Sequence, residues 1–508
     1  MNADSKQDVA AGPGSAVLAG CALGAGAAYQ IAFARPALAG FVLVHLALAM
    51  ELRRARTPRA AFWLGTLAGL AVIVPRFGFL WTVFGIPAGG VTVSIAAPIL
   101  WTILASFHGL FVLVLRAVES RWGMRMALAA APVLWMGVEY LRSEAWWLRF
   151  PWFTVGEALD PYPGLLHGAG VYGAGALAVS VVALALGLAG DPRQGPRGAQ
   201  KFVAVLAVAV GLAMAWGAAG PPASPRSGGS VAVAGLQLET PAMPEVLAGL
   251  GRVLARHPEA ELIVLGEYTL DGPPPESLRR WCREHRRWLV VGGTESVAAP
   301  EGGGTVSATL RGGATEGTPF RNTAFVVGPS GAVEFTQAKS VPIPFFRDGL
   351  PAATQKVWES PWGRLGIAVC YDAGYRRVMD GLVRAGAEAL VVIAMDAEAW
   401  GPDEHALNAR ITRLRGVEYG LPLARVATSG ISGIHDARGI ETARAGFPGQ
   451  GETIAGTLHL AGPGRVPWDA WLGPVAVAAT ALLAAWLAIA GWRRQGPRPD
   501  YGGVGKTS

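Results

Sequence analysis

The feature that most constrains the fold of this chain is a set of long segments that contain no charged side chain. Asp, Glu, Lys and Arg are all absent from residues 9–34, 77–115, 161–190, 202–224 and 470–492. Each segment is long enough to cross the hydrocarbon core of a bilayer, which is about 30 Å thick and needs about 20 apolar residues in a helix. These segments exclude a wholly soluble protein and predict a protein embedded in a membrane.

We predict eight membrane-spanning helices, seven of them in a membrane domain at residues 1–222. The spans are placed at residues 14–34, 36–52, 60–75, 93–115, 124–141, 168–190, 202–219 and 470–492, followed by a cytoplasmic tail at 493–508. The apolar segment at 77–91 has an internal Pro and several Gly, so it is either a ninth span or an external interfacial loop. The distribution of charge favours the loop.

Basic residues follow every second predicted span and indicate the orientation of the chain. They are Arg53, Arg54, Arg56 and Arg59, then Arg116, Arg121 and Arg125, then Arg193, Arg197 and Lys201, and finally Arg493, Arg494 and Arg498. By the positive-inside rule these loops, together with Lys6, are cytoplasmic, and the segment between spans seven and eight lies outside. The same rule accounts for the net charge of +7 without a nucleic-acid partner. Lys6 and the first apolar run also resemble a signal peptide, but a second span follows so soon that we expect no cleavage.

Residues 228–465 differ in composition, being richer in Gly, Pro and charge. Short apolar runs predict strands at 230–238, 262–266, 288–293, 323–327, 364–369, 389–394 and 423–427, and helical patterns occupy 241–257 and 405–420. Strands that alternate with helices predict a layered α/β domain around a buried sheet.

Three residues with useful chemistry lie at the ends of predicted strands. Cys370 lies between a strand and a helix, where helix amides favour a thiolate and stabilise an oxyanion, although a lone Cys after an apolar strand is more often packing. Only five of the 43 basic residues are lysines. Lys339 is one of them, and it either survives by chance or supplies a compact charge with a tunable pKa. Glu267 is either part of a buried ion pair or a general base.

Other motifs are less informative. The three cysteines, Cys21, Cys282 and Cys370, are too few and too scattered for a disulfide framework or a zinc site, and no phosphate loop is present, so we predict no cofactor and no metal. The segment 139–163 mixes tryptophans with charged residues. It is either an aromatic belt at the outer interface or a lipid-facing vestibule beside an active site.

The order of these motifs resembles a known family. Glu267, then Lys339 before a Pro-rich loop, then Cys370 followed by Tyr and Asp resemble the nitrilase superfamily, which uses a Glu, Lys, Cys triad. The sequences GVEYLR (137–142), LRFPW (148–152) and HGAGVYG (167–173), with the segment 396–439, extend the similarity over nearly the whole chain to the apolipoprotein N-acyltransferase family. The resemblance implies a multi-pass helical membrane domain joined to a nitrilase-like αββα sandwich at 228–465.

The resemblance also implies a role for each candidate residue. Glu267 would be the general base, Cys370 the nucleophile that takes an acyl chain from a phospholipid as a thioester, and Lys339 with the backbone N–H of Tyr371 the oxyanion stabiliser. The acceptor would be the N-terminal amine of a diacylglyceryl-cysteine lipoprotein, and the enzyme would lie in the bacterial inner membrane with a periplasmic catalytic domain. Further candidates for oxyanion or substrate positioning are Asp348, Asp372, Trp152 and Trp400.

Four positions depart from the family pattern. Gly266 replaces the usual Pro before the catalytic Glu, Asp372 replaces a Glu, and Thr428-Ser429 replaces Thr-Asn. In the loop beyond Lys339 an essential Glu is replaced by Arg347 and Asp348. Either Asp348 substitutes for that Glu with a shorter reach, or Arg347 inverts the local charge.

The altered loop leaves two other functions open. One is an amidase, or an N-acyltransferase with a different acceptor amine. The other is a non-enzymatic membrane scaffold built on a degenerate nitrilase fold.

Overall fold

The computed structural model describes residues 13–85, 95–189, 226–297, 319–344 and 346–494, with parts of 200–212. The N-terminal half is helical, and one long helix closes the chain. Its helices are α1 (Ser15–Ala34), α2 (Phe41–Glu51), α3 (Pro58–Ile73), α4 (Phe79–Gly85), α5 (Ala96–Trp122), α6 (Met124–Tyr140), α7 (Val155–Ala158) and α8 (Pro163–Ala189). We number the last helix, Asp469–Arg494, α13 because four helices of the intervening domain precede it.

Four helices within the described ranges are long and apolar enough to cross a membrane, namely α1, α5, α8 and α13. The shorter helices α2, α3 and α6 occupy the second, third and fifth predicted spans. The seventh predicted span lies largely outside the described residues, as does the second half of the 77–91 segment, whose first half contains α4. The total of eight spans therefore stays a prediction.

Small residues allow α3 and α5 to pack closely. A Cβ added to Gly69 would lie 2.6 Å from the carbonyl oxygen of Ala105, and one added to Gly109 would lie 2.6 Å from that of Phe62. Close backbone approach through small residues is the usual way in which membrane helices associate, because lipid offers no hydrophobic driving force between them.

Residues 226–461 form two six-stranded sheets packed face to face. The first sheet has the order β12-β1-β2-β3-β4-β5 and the second β11-β10-β9-β8-β7-β6, with parallel pairs at β1-β2-β3 and β7-β8-β9. The strands are β1 (Arg226–Leu236), β2 (Leu262–Leu265), β3 (Trp288–Ser296), β4 (Phe320–Val327), β5 (Val333–Ala338), β6 (Val357–Ser360), β7 (Gly363–Val369), β8 (Ala389–Ala394), β9 (Leu423–Ala427), β10 (Ser432–His435), β11 (Glu441–Ala445) and β12 (Thr453–Ala461).

Helices cover the outer face of both sheets. Helices α9 (Met243–Arg256) and α10 (Glu276–His285) pack on the first sheet, and α11 (Arg376–Arg384) packs on the second, beside α12 (Pro402–Tyr419). Alternate strand residues such as Val264 and Ile367 fill the space between the sheets. The result is the predicted αββα sandwich. All seven predicted strands are confirmed. Sequence patterns missed five strands, of which β5, β6, β11 and β12 are the edge strands of the two sheets and β10 lies next to the edge strand β11.

Helix α8 is interrupted at Gly170, whose φ of 76° lies in the left-handed region. The break leaves backbone N–H groups without a helical acceptor, and two acidic side chains accept hydrogen bonds from them. Glu418 Oε1 accepts from Val171 N at 2.6 Å, and Asp469 Oδ2 accepts from Tyr172 N at 3.0 Å. A Cβ at position 170 would lie 2.1 Å from Asp469 Oδ1, so both the backbone conformation and the space require glycine.

The same two carboxylates bind Arg376, which begins α11 in the sandwich. Arg376 is buried and pairs with Asp469, with Asp380 at 3.0 Å and with Glu418 at 3.5 Å. Arg415 also pairs with Glu418 and donates to backbone carbonyls in the turn that precedes α11. This buried ionic network joins α8 and α13 to α11 and α12, so the sandwich is fixed directly to two of the long apolar helices.

We expect Asp469→Asn to destabilise the protein by about 3 kcal/mol, because loss of one partner leaves a buried cation incompletely compensated. Thermal unfolding of the purified protein in detergent measures the effect as a lower Tm. The control is Asp403→Asn, whose side chain is 47% exposed and pairs with Arg76 at 3.5 Å, so it should change Tm little. Equal shifts in the two variants would contradict a special role for the network.

Candidate active site

Glu267 and Lys339 meet at the ends of two strands of the first sheet. Glu267 follows β2 and Lys339 follows β5, and Lys339 Nζ lies 2.8 Å from Glu267 Oε1. Asp348 Oδ2 lies 2.7 Å from the same ammonium. All three side chains are buried, so one cation is shared by two carboxylates away from water.

Hydrogen bonds hold both carboxylates in place. Asn322 on β4 donates from Nδ2 to Glu267 Oε1 and, at 2.9 Å, to Asp348 Oδ1. The second oxygen of Glu267 accepts from the backbone N–H of Met395 at 2.7 Å, and that of Asp348 accepts from Ile343 N at 2.8 Å. Each carboxylate therefore has both oxygens occupied and a fixed orientation.

Cys370 lies where β7 ends in a tight turn, at the matching edge of the second sheet. Its φ of 49° lies in the left-handed region, an uncommon conformation for a residue with a side chain and one that is concentrated at functional sites. Its Sγ is 3.9 Å from the carbonyl oxygen of Met395 and 3.8 Å from Asn408 Nδ2. Because Met395 also binds Glu267, the thiol and the carboxylate contact the same residue from opposite sheets.

Burial and mutual charge shift the acid–base properties of these groups. Burial, followed by the charge of Asp348, raises the pKa of Glu267, although Lys339 opposes the shift. Burial alone would lower the pKa of Lys339, but Asp348 and Glu267 outweigh it and raise that pKa well above the ordinary value. Burial and then Glu267 raise the pKa of the Cys370 thiol. The resting site thus holds a thiol, and its proton needs an acceptor such as Glu267.

Asp372 connects the turn at Cys370 to the segment after Lys339. Its carboxylate accepts from Ser340 N at 3.0 Å and from Val341 N at 2.7 Å, while burial raises its pKa to about 7. Asp372 therefore connects the turn at Cys370 to the backbone that follows Lys339. The hydroxyl of Tyr371 donates to the carbonyl of Arg149, which ties the same turn to the membrane domain.

Cys370 lines a cavity between the membrane helices and the sandwich. Trp152 and Trp400 both contribute to its wall, and the ring of Trp152 lies 5.7 Å from that of Tyr371. Most lining residues are apolar or aromatic, and they come from α4, α5, the 150–152 segment, the loop after Lys339, and the start of α12. The lining residues are Phe79, Leu80, Val83, Phe84, Leu100, Phe150, Trp152, Ile343, Pro344, Phe346, Cys370, Tyr371, Trp400, Glu404 and Asn408.

In the altered loop the acidic side chain, Asp348, contacts Lys339, whereas the basic side chain, Arg347, lies elsewhere. Asp348 contacts Lys339 and also accepts from the Tyr268 hydroxyl at 2.8 Å. The guanidinium of Arg347 lies over the ring of Phe320, 5.3 Å from its centroid. Of the two open alternatives for this loop, the geometry favours Asp348 as the substitute with a shorter reach.

The other departures lie around the same strand ends. A Cβ at Gly266 would lie 2.8 Å from Thr428 Cγ2, so this chain has little space for a larger residue there. Ser429 donates from its hydroxyl to the carbonyl of Asp396 at 2.8 Å. Gly266 and Ser429 therefore pack behind the site.

A second polar cluster lies behind Cys370. Asp396, Glu404 and His405 are buried, and their donor atoms lie within 4.8 Å of one another, a spacing that a metal ion can bridge. However, Arg425 already pairs with Asp396, so a metal ion that bridged all three residues would lie against a guanidinium. Arg425 and burial affect the pKa of Asp396 in opposite directions, and the net effect lowers it. The donor set fits an internal ion-pair network better than a metal site.

Sequence patterns missed Asn322, Asp396, Glu404 and Asn408. One signal was available for two of them, since residues four apart on a helix share a face. Glu404 and Asn408 have this spacing and are both buried on one helix. The other two lie on or just after apolar strands, with no local pattern to separate them from ordinary polar residues.

Two protein-family models match the chain, carbon-nitrogen hydrolase over residues 240–464 and the apolipoprotein N-acyltransferase N-terminal domain over residues 25–184. The apolipoprotein N-acyltransferase of Rhizobium meliloti is 27% identical, with 82% of both chains covered. That of Gloeobacter violaceus is 29% identical, with 92% of this chain and 93% of that one covered. Among solved structures, Saccharomyces cerevisiae Nit3, of the nitrilase superfamily, is 20% identical over 47% of this chain and 93% of its own, with a TM-score of 0.38.

The sandwich with its buried Glu, Lys and Cys is thus a carbon-nitrogen hydrolase domain, here joined to apolar helices that enclose part of its cavity. The chain belongs to the apolipoprotein N-acyltransferase family and is a bacterial membrane protein. The predicted fold class and family resemblance are therefore confirmed.

The shared lysine predicts a specific pH dependence. We expect acylation of Cys370 by a short activated ester to slow on acidification, at a pH above the ordinary range of glutamate, because the pKa of Glu267 is raised. Asp348→Asn removes one charge that raises this pKa. The acid limb of the pH–rate profile, where the rate falls on acidification, should therefore move to lower pH. The measurement is the rate of adduct formation against pH by mass spectrometry, with Cys370→Ala as background.

The matched control for this shift is Glu359→Gln, an exposed carboxylate on β6 that should leave the acid limb in place. An unchanged limb in Asp348→Asn, or one moved to higher pH, would mean that Asp348 does not act on the base.

Proposed function

We propose that this protein moves an acyl chain from a phospholipid to the N-terminal amine of a diacylglyceryl-cysteine lipoprotein, through a thioester on Cys370. The observation that carries the proposal is the position of Cys370. Its thiol opens onto an apolar cavity walled by membrane helices on one side, while Met395 links it to the Glu267 and Lys339 pair on the other. Relatives that align over most of the chain have the name of this activity.

In the first half-reaction Glu267 takes the proton of the Cys370 thiol, and the sulfur attacks the ester carbonyl of the phospholipid. A carbon–sulfur bond forms, and the carbonyl oxygen becomes an oxyanion beside the ammonium of Lys339 and the backbone N–H of Tyr371. The carbon–oxygen bond of the ester then breaks. The lysophospholipid leaves as an alcohol after it receives the proton from Glu267.

In the second half-reaction the acceptor amine attacks the thioester carbonyl. The carbon–nitrogen bond forms, Glu267 takes a proton from the nitrogen, and the carbon–sulfur bond breaks. The departing sulfur regains a proton from Glu267, which restores the resting thiol. Because the thioester stores the acyl chain between the steps, donor and acceptor use one cavity in turn, which gives ping-pong kinetics.

The apolar cavity supports a lipid donor. Phe79, Leu80, Val83 and Phe84 of the short helix α4 supply one wall, and Leu100 of α5 extends it along a membrane helix. An acyl chain placed between these side chains gains about 25 cal/mol for each Å² of apolar surface removed from water. A small hydrophilic amide would gain little from the same wall, so the cavity favours lipid over a soluble amide.

We further propose that the protein lies in the bacterial cytoplasmic membrane with its catalytic domain on the extracytoplasmic side. Support comes from the basic loops. Arg53, after α2, pairs with Glu119 near the end of α5 at 3.2 Å, and Arg116 donates to the carbonyl of Arg56 at 2.9 Å. Two predicted cytoplasmic ends thus lie together, as the positive-inside rule requires.

This orientation predicts the labelling of introduced cysteines by a membrane-impermeant maleimide in a Cys21→Ser, Cys282→Ser background. Glu259→Cys, at a side chain that is 64% exposed in the catalytic domain, should react in cells whose outer envelope is permeabilised. Arg56→Cys, in an exposed basic loop, should react only after the cytoplasmic membrane is lysed. The opposite pattern would reverse the proposed orientation.

The thioester predicts an adduct on a single thiol. Incubation of the purified protein with phospholipid should add the mass of one acyl chain, measured by intact mass spectrometry, and Cys370→Ala should abolish it. Lys339→Ala should slow its formation by about 10²-fold, because an oxyanion donor is worth 10²–10³ in rate. Cys21→Ser, on α1, is the matched control and should form the adduct normally.

Transfer from labelled phospholipid to a diacylated lipopeptide then separates this activity from amide hydrolysis. Turnover of simple amides without transfer would favour the amidase, and an adduct unaffected by Cys370→Ala would contradict the assigned nucleophile.

A further inference from the structure

One carboxylate faces the otherwise apolar cavity beside the nucleophile. Among the cavity-lining residues within the described part of the chain, Glu404 alone has a carboxyl group, and the remainder are apolar or aromatic apart from Cys370 and Asn408. The mechanism derived above does not use Glu404. A carboxylate retained in such a wall is costly to bury, so its chemistry needs an explanation.

Asn408 lies between Glu404 and the sulfur of Cys370. Glu404 Oε1 lies 3.5 Å from Asn408 Nδ2, and the same amide nitrogen lies 3.8 Å from Cys370 Sγ. Glu404 is 4% exposed, and its Oε2 is buried with no hydrogen-bond partner among the residues that the structure describes. A buried acceptor without a donor is a position where a donor from a ligand is stabilised most.

The surrounding charges favour a cationic donor. Arg425 pairs with Asp396 rather than with Glu404, and its charge offsets only part of the effect of burial on Glu404. His405 Nδ1 is 3.9 Å from Glu404 Oε2, too far for a hydrogen bond. Burial and the negative charge of Asp396 raise the pKa of Glu404 well above its ordinary value. An ammonium in the cavity would offset both effects, because an opposite charge at contact favours the carboxylate.

We propose that Glu404 binds the α-ammonium of the acceptor and takes its first proton, so that the acceptor reaches the thioester as a neutral amine. The inference rests on the proposed function, in which the second substrate is an N-terminal amine. Such an amine has a pKa of about 7.7–8.0 and is mostly protonated, and therefore not nucleophilic, at neutral pH.

The proton balance of the second half-reaction then involves two carboxylates. The ammonium gives one proton to Glu404 and becomes the amine that attacks the thioester. Its second proton passes through Glu267 to the sulfur of Cys370 as the carbon–sulfur bond breaks. The products are the amide, the free thiol and protonated Glu404, which returns its proton to solvent before the next acceptor binds.

Glu404→Gln tests the proposal because it separates the half-reactions. The variant should form the acyl-enzyme from phospholipid as the wild type does, which also shows that it is folded. Transfer from the isolated acyl-enzyme to a diacylated lipopeptide should be slower by about 10²-fold, the contribution of a positioned general base. Hydroxylamine, an amine that is uncharged at neutral pH, should release the acyl chain from both proteins at the same rate.

The pH profile gives a readout that a purely structural role would not change. The defect of Glu404→Gln in transfer should be largest near neutral pH and should shrink toward about pH 9, where the acceptor is already a free amine. Glu398→Gln, an exposed carboxylate in the turn before α12, is the matched control and should not alter either half-reaction.

Two outcomes would overturn the inference while leaving the proposed function intact. One is normal lipopeptide transfer by Glu404→Gln, and the other is an equal loss with lipopeptide and hydroxylamine at every pH. Failure of the wild type to form an acyl-enzyme would instead contradict the proposed function.

Discussion

The structure depends on one buried ammonium shared by two carboxylates. Lys339 lies between Glu267 and Asp348 with separations of 2.8 and 2.7 Å, and all three are removed from water. Two carboxylates without a cation would repel each other, and one would be protonated. Lys339 compensates the two carboxylates at a buried site, and in the proposed reaction the same positive charge stabilises an oxyanion on the substrate. A guanidinium would not serve equally, because Lys has a compact charge on a flexible stem.

A second set of buried charges determines where this site lies relative to the membrane. Asp469 and Glu418 accept hydrogen bonds from the free N–H groups at the break in α8. They also bind Arg376, which begins α11 just after the turn at Cys370. Arg415 binds Glu418 and the carbonyls of that turn. The turn at Cys370 is therefore connected to the membrane helices through the ion pairs of Arg376 and Arg415. The same contacts position the wall of the cavity that the membrane helices supply.

Much of this architecture could be predicted from the sequence, for physical reasons that differ between its parts. Charge-free segments and β-branched runs are direct consequences of burial, so the helices and seven of the eight inner strands were evident. Glu267, Lys339 and Cys370 stood out because each follows a strand. Asn322 and Asp396 did not, because their partners lie on other strands and loops that are distant in the sequence. The outer strand β11 was missed because it is too exposed and polar to show an apolar run. The break at Gly170 could not be inferred because it requires Asp469, almost 300 residues away in the chain.

In the proposed reaction, the walls of the cavity also decide what can attack the thioester on Cys370. Water has no polar partners on surfaces made by Phe79, Phe150 and Trp152, so hydrolysis is disfavoured where the acyl chain would lie. An acceptor that carries its own lipid chains gains free energy from those surfaces, whereas water does not. Its amine then needs a polar contact within this apolar space, and Glu404 with Asn408 offers one beside the sulfur. The preference for an amine over water as the attacking group thus follows from the same apolar burial that keeps the Cys370 thiol protonated at rest.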